Sequence, residues 1–240
     1  MFERVANFRD IGGLQAEDGL RVRRGVTYRS AALDWMTRAD AVRARDELGL
    51  KTVIDLRATH EVQPLDRHPL VTLGIAHEHA PLSNPTVEEG WKRVPPYGVE
   101  SYILPLRHAQ PAIRTAFERL AMPNALPAVF HCAAGKDRTG LFAALLLDLL
   151  GVSEDDIVAD YCASQPHLQR VASLAGRDPA RKDPSHYEVQ PESLRGTLRW
   201  LREHHGSTAS YLRSVGVPTE AVVRLSAQLT VSQRAGTRPR

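Results

Sequence analysis

The sequence predicts an α/β fold: a central, mostly parallel sheet flanked by helices. Two observations carry this expectation. Before residue 150, single short apolar strands alternate with helical stretches, the order that builds a parallel sheet through helical crossovers. After residue 150 the apolar spacing is helical, which adds a helical C-terminal part. With 240 residues and 42% hydrophobic content the chain can bury a sizeable core. We read residues 1–232 as a single domain and 233–240 as a flexible tail. The whole stretch after Leu229, ending QRAGTRPR, reads as frayed and solvent-exposed.

The elements follow in order. Residues 7–25 are rich in glycine and charge and read as loop with short extended pieces. Residues 25–29 form a short strand. Thr37 and Asp40 have the spacing of a capping box, opening a helix that runs to about Leu48 and stops at Gly49. KTVIDLR at 51–57 is β-branched and apolar at its centre, a buried strand. Residues 71–79 are a second strand candidate. Residues 81–98 hold four prolines and two glycines and read as a long surface loop, either a lid or substrate wall or a poorly ordered insertion. Residues 102–120 are helical, kinked or divided by Pro105 and Pro111. A strand at 128–131 leads into a helix from about Thr139 to Leu150. Ser153 and the acids behind it cap a helix to about Cys162. Residues 178–191 are a polar linker. Amphipathic helices follow at 192–204, 208–215 and 219–229, with Leu198, Trp200 and Leu201 as core.

Composition excludes several classes. The net charge is only +3, with bases and acids interspersed, so no nucleic-acid footprint is expected. The longest apolar run, residues 141–150, is interrupted by Asp148 and falls short of the roughly 20 residues that span a bilayer. No signal-peptide core precedes the first motif. The two cysteines, Cys132 and Cys162, form no C-x-x-C pair and no zinc quartet. A reducing, cytoplasmic setting is the expectation. Oligomeric state has no signature here.

The chemistry concentrates in HCAAGKDRTG, residues 131–140. A strand ends at its start and a helix begins near Arg138 or Thr139. Backbone N–H groups curled between them, with the open donors of the helix N-terminus, make an anion site of phosphate or sulfate size. Ala133, Ala134 and Gly135 keep side chains out of the way, and Gly135 can take a positive φ. Arg138 can grip two oxygens of a tetrahedral anion with its planar fork. The helix end, Lys136 and Arg138 all favour the thiolate of Cys132, which becomes a nucleophile beneath a bound phosphate. Thr139 either offers its hydroxyl to the sulfur or caps the helix. Asp137 is the nearest acid for a leaving alcohol, or else a brace for the loop. Lys136 contacts the phosphate or a second acidic group, or is a solvated surface lysine. No cofactor or metal is called for. A nucleotide P-loop fails because Asp137 follows Gly135-Lys136 and Phe130 stands where the first glycine belongs. A zinc site lacks ligands, and a papain-like pair would leave Lys136, Asp137 and Arg138 without a task.

The loop resembles the cysteine-plus-five-plus-arginine signature of the cysteine-dependent protein tyrosine phosphatase superfamily. Its internal lysine and aspartate resemble the bacterial and fungal, lipid-phosphatase-like members. NFRDIGG at 7–13, the run from Val22 to Ser30, and VIDLR at 53–57 with Glu61 resemble further motifs of that family, as does the Tyr211-Leu212 and Gly216-Val217 pattern. The resemblance covers most of the chain and is looser between 65 and 125. It implies Cys132 as nucleophile, Arg138 as the phosphate-binding arginine and Asp137 as general acid, since no Trp-Pro-Asp occurs. Asp55 is the back-up acid or a loop-ordering group. Arg9, Asp10, Asp55 and Arg57 are expected to form one buried ion network near the site. The implied substrates are phosphotyrosine proteins, with dual specificity, and phosphoinositides. The alternative is a catalytically inactive phosphate-binding module.

Overall fold

The computed structural model describes residues 2–176 and 187–232. Its strands are β1 (Arg9–Asp10), β2 (Leu20–Val22), β3 (Thr27–Ser30), β4 (Thr52–Asp55), β5 (Ala76–His79), β6 (Ala128–His131) and β7 (Thr230–Ser232). Its helices are α1 (Arg38–Asp46), α2 (Pro85–Trp91), α3 (Val99–His108), α4 (Gln110–Ala121), α5 (Asp137–Leu149), α6 (Glu154–Cys162), α7 (Leu168–Leu174), α8 (Pro191–His205), α9 (Thr208–Ser214) and α10 (Thr219–Leu229). The five-stranded sheet has the order β1-β3-β6-β4-β5. Only the β1–β3 pair is antiparallel. The mostly parallel sheet flanked by helices is therefore present as expected.

Side-chain alternation splits the core into two layers. Ile54, Ala128 and Phe130 join the cluster that holds Phe117 of α4 and Phe142 of α5. Their neighbours Val53 and Val129 join Tyr28, Ala41 and Ala44 beneath α1. Phe142 packs against Phe117 and Phe130 with ring centroids 5.0 and 4.9 Å apart. Helix α5 is buried without a break from Thr139 to Leu147, which makes it the central helix of that layer. Helices α6, α8, α9 and α10 complete the helical C-terminal part.

The parallel register brings the carboxyl ends of β3, β6 and β4 level, with His131 paired to both Ser30 and Asp55. The segment from Cys132 to Lys136 thus leaves the sheet between two neighbouring strand ends, the usual place for a site in an open α/β sheet.

Several expectations need correction. Residues 81–98 are not one loop: Asn84 caps α2 by accepting from the N–H of Val87 at 3.0 Å, and Pro85 occupies the first turn, where proline is tolerated. Residues 71–79 are not one strand. Val71–Leu73 is a 3₁₀ turn, Gly74 reverses the chain at φ +83°, and only Ala76–His79 pairs. The chain after Leu229 is not wholly frayed, because Thr230–Ser232 pairs antiparallel with Leu20–Val22. Most of the linker expected at 178–191, and the tail at 233–240, lie outside the described residues.

Candidate active site

The carbonyls of the Cys132–Lys136 loop are held from behind. Ala133 O accepts from Ala32 N–H at 3.1 Å. Asn7 Nδ2 donates to Ala134 O at 3.1 Å and Gly135 O at 3.0 Å. Arg29 Nη2 donates to Gly135 O at 2.8 Å and reaches Lys136 O at 3.4 Å. In a trans peptide the C=O and the following N–H point in opposite directions. Fixing these carbonyls behind the loop turns the N–H groups of Ala134 to Asp137 toward its inner side. Helix α5 begins at Asp137, just ahead of the expected start near Arg138 or Thr139, and no side chain caps it. Its first N–H groups join the same concavity, an anion cradle of fixed dipoles. Gly135 sits at φ +68°, and a Cβ there would lie 2.5 Å from Ser30 O. Glycine is required twice over, by conformation and by contact.

Cys132 heads this loop and is 2% exposed. Arg138 is near enough to feel its charge, and among the described residues it has a defined set of engaged donors. Its Nη1 and Nη2 donate to the two carboxylate oxygens of Glu61, the Nη2 bond being 3.0 Å, and Nη1 also donates to Ser83 Oγ at 3.1 Å. A guanidinium has five N–H groups. Three are taken, leaving Nε–H and one Nη2–H, which share one edge of the fork. That edge suits two oxygens of a phosphate. Although burial disfavours its charge, Glu61, Cys132 and Asp137 raise the Arg138 pKa, so the guanidinium stays charged.

Asp137 Oδ1 accepts from Tyr102 OH at 2.5 Å. Together with Glu61, Ser83, Trp91, Tyr97 and Arg138 it lines a cleft of about 460 Å³. The aromatic walls come from the 81–98 region, where α2 and the turn after it stand beside the cleft. Trp91 is fixed by donating Nε1–H to Ser101 O at 2.8 Å.

Two supporting groups differ from expectation. The ammonium of Lys136 does not turn into the cradle. It donates to Glu188 O at 2.7 Å, sits 4.2 Å from the Tyr97 ring centre and lies 3.5 Å from Asp137 Oδ1. At 1% exposure it is not a solvated lysine either. Thr139 Oγ1 is buried without a hydrogen-bond partner, so it neither caps α5 nor bonds the sulfur in this structure.

Arg9, Asp10, Asp55 and Arg57 do not form one network. Arg57 grips Asp55 through Nε at 2.9 Å and Nη2 at 2.6 Å, and also bonds Asp34. Arg9 instead joins Arg29 on the single carboxylate of Asp160, and it donates to Asn7 Oδ1. Asp10 stands apart, accepting from Gly12 N–H at 2.7 Å and Gly25 N–H at 2.8 Å to tie the glycine turns together. The Arg9–Arg29–Asp160 group braces the cradle from behind. Such a buried group specifies geometry more surely than it adds stability. Asp55 is fully buried behind the loop. Burial opposes its charge, but His131, His77 and Arg57 hold its carboxyl far below the usual range. An ionised carboxylate in that place has no proton to give, and of these two carboxyls only Asp137 lines the cleft.

Sequence reasoning missed Asp160, Asp34, Ser83, Tyr102 and Tyr161. Their partners lie tens of residues away and no local spacing marks them. Asn7 and Arg29 fall within the motifs quoted above, but their task at the loop carbonyls was not visible there.

A thiol at the head of a dipole-lined loop, an arginine with one free edge and a carboxyl beside an open cleft suit a phosphate-handling hydrolase. The family profile and the sequence relatives agree. The profile of the tyrosine phosphatase family matches residues 1–231, and the chain belongs to that family. It is a phosphatase. A protein of Cupriavidus necator assigned as a tyrosine-protein phosphatase is 33% identical over 231 residues, covering 88% of this chain and 82% of its own. The triple specificity protein phosphatase PtpB of Mycobacterium tuberculosis is 29% identical, covering 91% and 94%. Among solved structures, the core catalytic domain of the PP-IP phosphatase SIW14 from S. cerevisiae, in complex with citrate, aligns with a TM-score of 0.41. It is 19% identical and covers 62% of this chain and 88% of its own. Among the described residues no helix is long and apolar enough to cross a membrane.

Proposed function

We propose that the chain hydrolyses phosphate monoesters through a covalent cysteinyl-phosphate on Cys132, with phosphotyrosine as its leading substrate. The observation that carries this reading is the Glu61-anchored Arg138, whose free edge stands beside a loop with its carbonyls turned out. The thiolate attacks phosphorus in line, and the P–O bond to the leaving group breaks as Asp137 protonates that oxygen. The charge on the equatorial oxygens falls on the loop N–H groups and on Arg138. Water then attacks phosphorus, Asp137 takes its proton, and the S–P bond breaks to return the thiolate and release inorganic phosphate.

The cleft supports an aryl ester. Trp91 and Tyr97 offer apolar walls beside Asp137 and Arg138. Lys136 is committed to Glu188 O and the Tyr97 ring, so its charge is not offered to a second phosphate. Activity on phosphoserine, phosphothreonine and phosphoinositides is then secondary. Initial rates on phosphotyrosine peptides, phosphoserine peptides and phosphoinositides at equal concentration, with chelator present, test this. Phosphotyrosine should turn over fastest and the chelator should have no effect. A faster multiply phosphorylated inositol lipid would overturn the substrate order, and binding without turnover of any ester would leave a phosphate-binding module.

A further inference from the structure

The two oxygens of the Asp137 carboxyl are treated differently by the fold. Oδ1 accepts from Tyr102 OH at 2.5 Å and lies 3.5 Å from Lys136 Nζ. Tyr102 OH is in turn 2.6 Å from Tyr161 OH, and Tyr161 OH accepts from the Gln190 N–H at 3.1 Å. The directions of these bonds follow from proton counting. A phenol has one hydrogen. Tyr102 gives its hydrogen to the carboxyl, so its oxygen accepts from Tyr161, whose oxygen accepts from Gln190. The chain runs one way, from backbone to carboxyl, with no donor left over.

Three separate elements meet here. Tyr102 comes from α3, Tyr161 from α6, and Gln190 from the residue before α8. Tyr161 is seated where α5 has no side chain: a Cβ on Gly140 would lie 2.7 Å from Tyr161 Cδ2. Burial and the nearby Asp137 raise the pKa of both phenols above the ordinary value, so both keep their protons across any working pH. Both rings are buried, whereas the Asp137 side chain is 34% exposed. Among the described residues no group donates to Oδ2, so it is the oxygen left for the cleft.

We propose that Tyr102, backed by Tyr161, is a positioning residue that pins Asp137 Oδ1, so that Oδ2 alone delivers and takes the proton. The inference rests on the reading of Asp137 as the acid. The bond to Oδ1 suits both protonation states of the carboxyl, because Oδ1 accepts whether or not Oδ2 carries hydrogen. What it excludes is a proton on Oδ1, facing away from the ester. A carboxyl free to turn about its last torsion would spend time in that unproductive arrangement, and loss of orientation lowers the rate without touching binding.

The test is a leaving-group series on Tyr102→Phe, Tyr161→Phe, Asp137→Asn and the Asp137→Asn/Tyr102→Phe double variant, from phenyl phosphate to an ester of a strongly acidic phenol. General acid catalysis typically supplies about 10²- to 10⁴-fold, so partial loss of its orientation should lower kcat on phenyl phosphate about tenfold in Tyr102→Phe. The activated ester should change little, KM should hold, and Tyr102→Phe should cost nothing more once Asp137 is Asn. Tyr161→Phe should move in the same direction by less. It carries the test alone if Tyr102→Phe fails to fold, since it leaves the Asp137 contact in place. An equal loss of Tyr102→Phe across all leaving groups, or a double variant that falls by the product of the two single losses, would reduce Tyr102 to a packing role. A uniform loss in Asp137→Asn itself would instead remove the acid reading on which the proposal stands.

Discussion

Arg138 carries the phosphate reading because of which of its donors are already engaged. Glu61 and Ser83 occupy the far end of the fork, and the Nε/Nη2 edge remains. Lysine at this position keeps the charge but has no planar edge and cannot satisfy both Glu61 and a phosphate. Loss of one well-placed oxyanion donor costs about 10²- to 10³-fold in kcat, so Arg138→Lys should fall by at least about that factor. The kinetics of the purified variant on an aryl phosphate check this, and a loss under tenfold would mean that the loop N–H groups suffice. The chemistry of this residue was legible in the sequence, because a cysteine, five residues and an arginine between a strand and a helix leave few alternatives. The geometry was not. Neither Ser83 nor the exact use of Glu61 can be read from spacing, and the direction of the Lys136 side chain depends on Tyr97 and Glu188, which come from other parts of the fold.

The loop between β6 and α5 is a separate piece of design from the residues it carries. Its shape rests on Asn7, Arg29 and the left-handed Gly135. Gly135→Ala places a methyl 2.5 Å from Ser30 O at a φ of +68°. The strain of such a position is of order 1–3 kcal/mol. The variant should melt several degrees lower and lose most of its activity on activated and poor esters alike, since a misshapen cradle harms every transition state. Thermal melts with and without phosphate check this, and wild-type activity in Gly135→Ala would show that the loop tolerates another shape. Elements with local signatures were the ones legible in advance. Thr37 and Asp40 form their capping box as spaced, and Ser153 accepts from Asp156 N–H at 3.2 Å. Helix α2 was hidden by prolines that signal breakage but here open the first turn and follow the last. Strand β7 was hidden because its partner lies some two hundred residues earlier in the chain, beyond any local pattern.

The sheet as a whole buries a cluster of titratable groups behind the cradle, and this sets how the molecule responds to acid. Burial, then the neighbouring His131 and His77, lower the His68 pKa from 6.5 to about 4. Burial lowers His131 as well. A group whose folded pKa is depressed leaves the unfolded chain binding more protons between the two values, so stability is full above pH 6.5 and is lost as pH falls toward 4. For His68 alone the span corresponds to roughly 3 kcal/mol. The melting temperature should therefore fall steadily between pH 6.5 and 4. His68→Asn keeps an acceptor for Leu70 N–H and should flatten part of that slope. A melting temperature independent of pH over this window would contradict the burial of a neutral His68 imidazole. With Cys132 as nucleophile, the intact protein carries its substrate's phosphoryl group on that residue during turnover. Rapid denaturing quench of a single turnover on an aryl phosphate, followed by intact and peptide mass analysis, addresses it most directly. One phosphoryl group should be found on Cys132, forming with the burst of released phenol and absent from an inactive Cys132→Ser variant. Steady turnover with no phosphoryl adduct, or with Cys132→Ser still active, would contradict it.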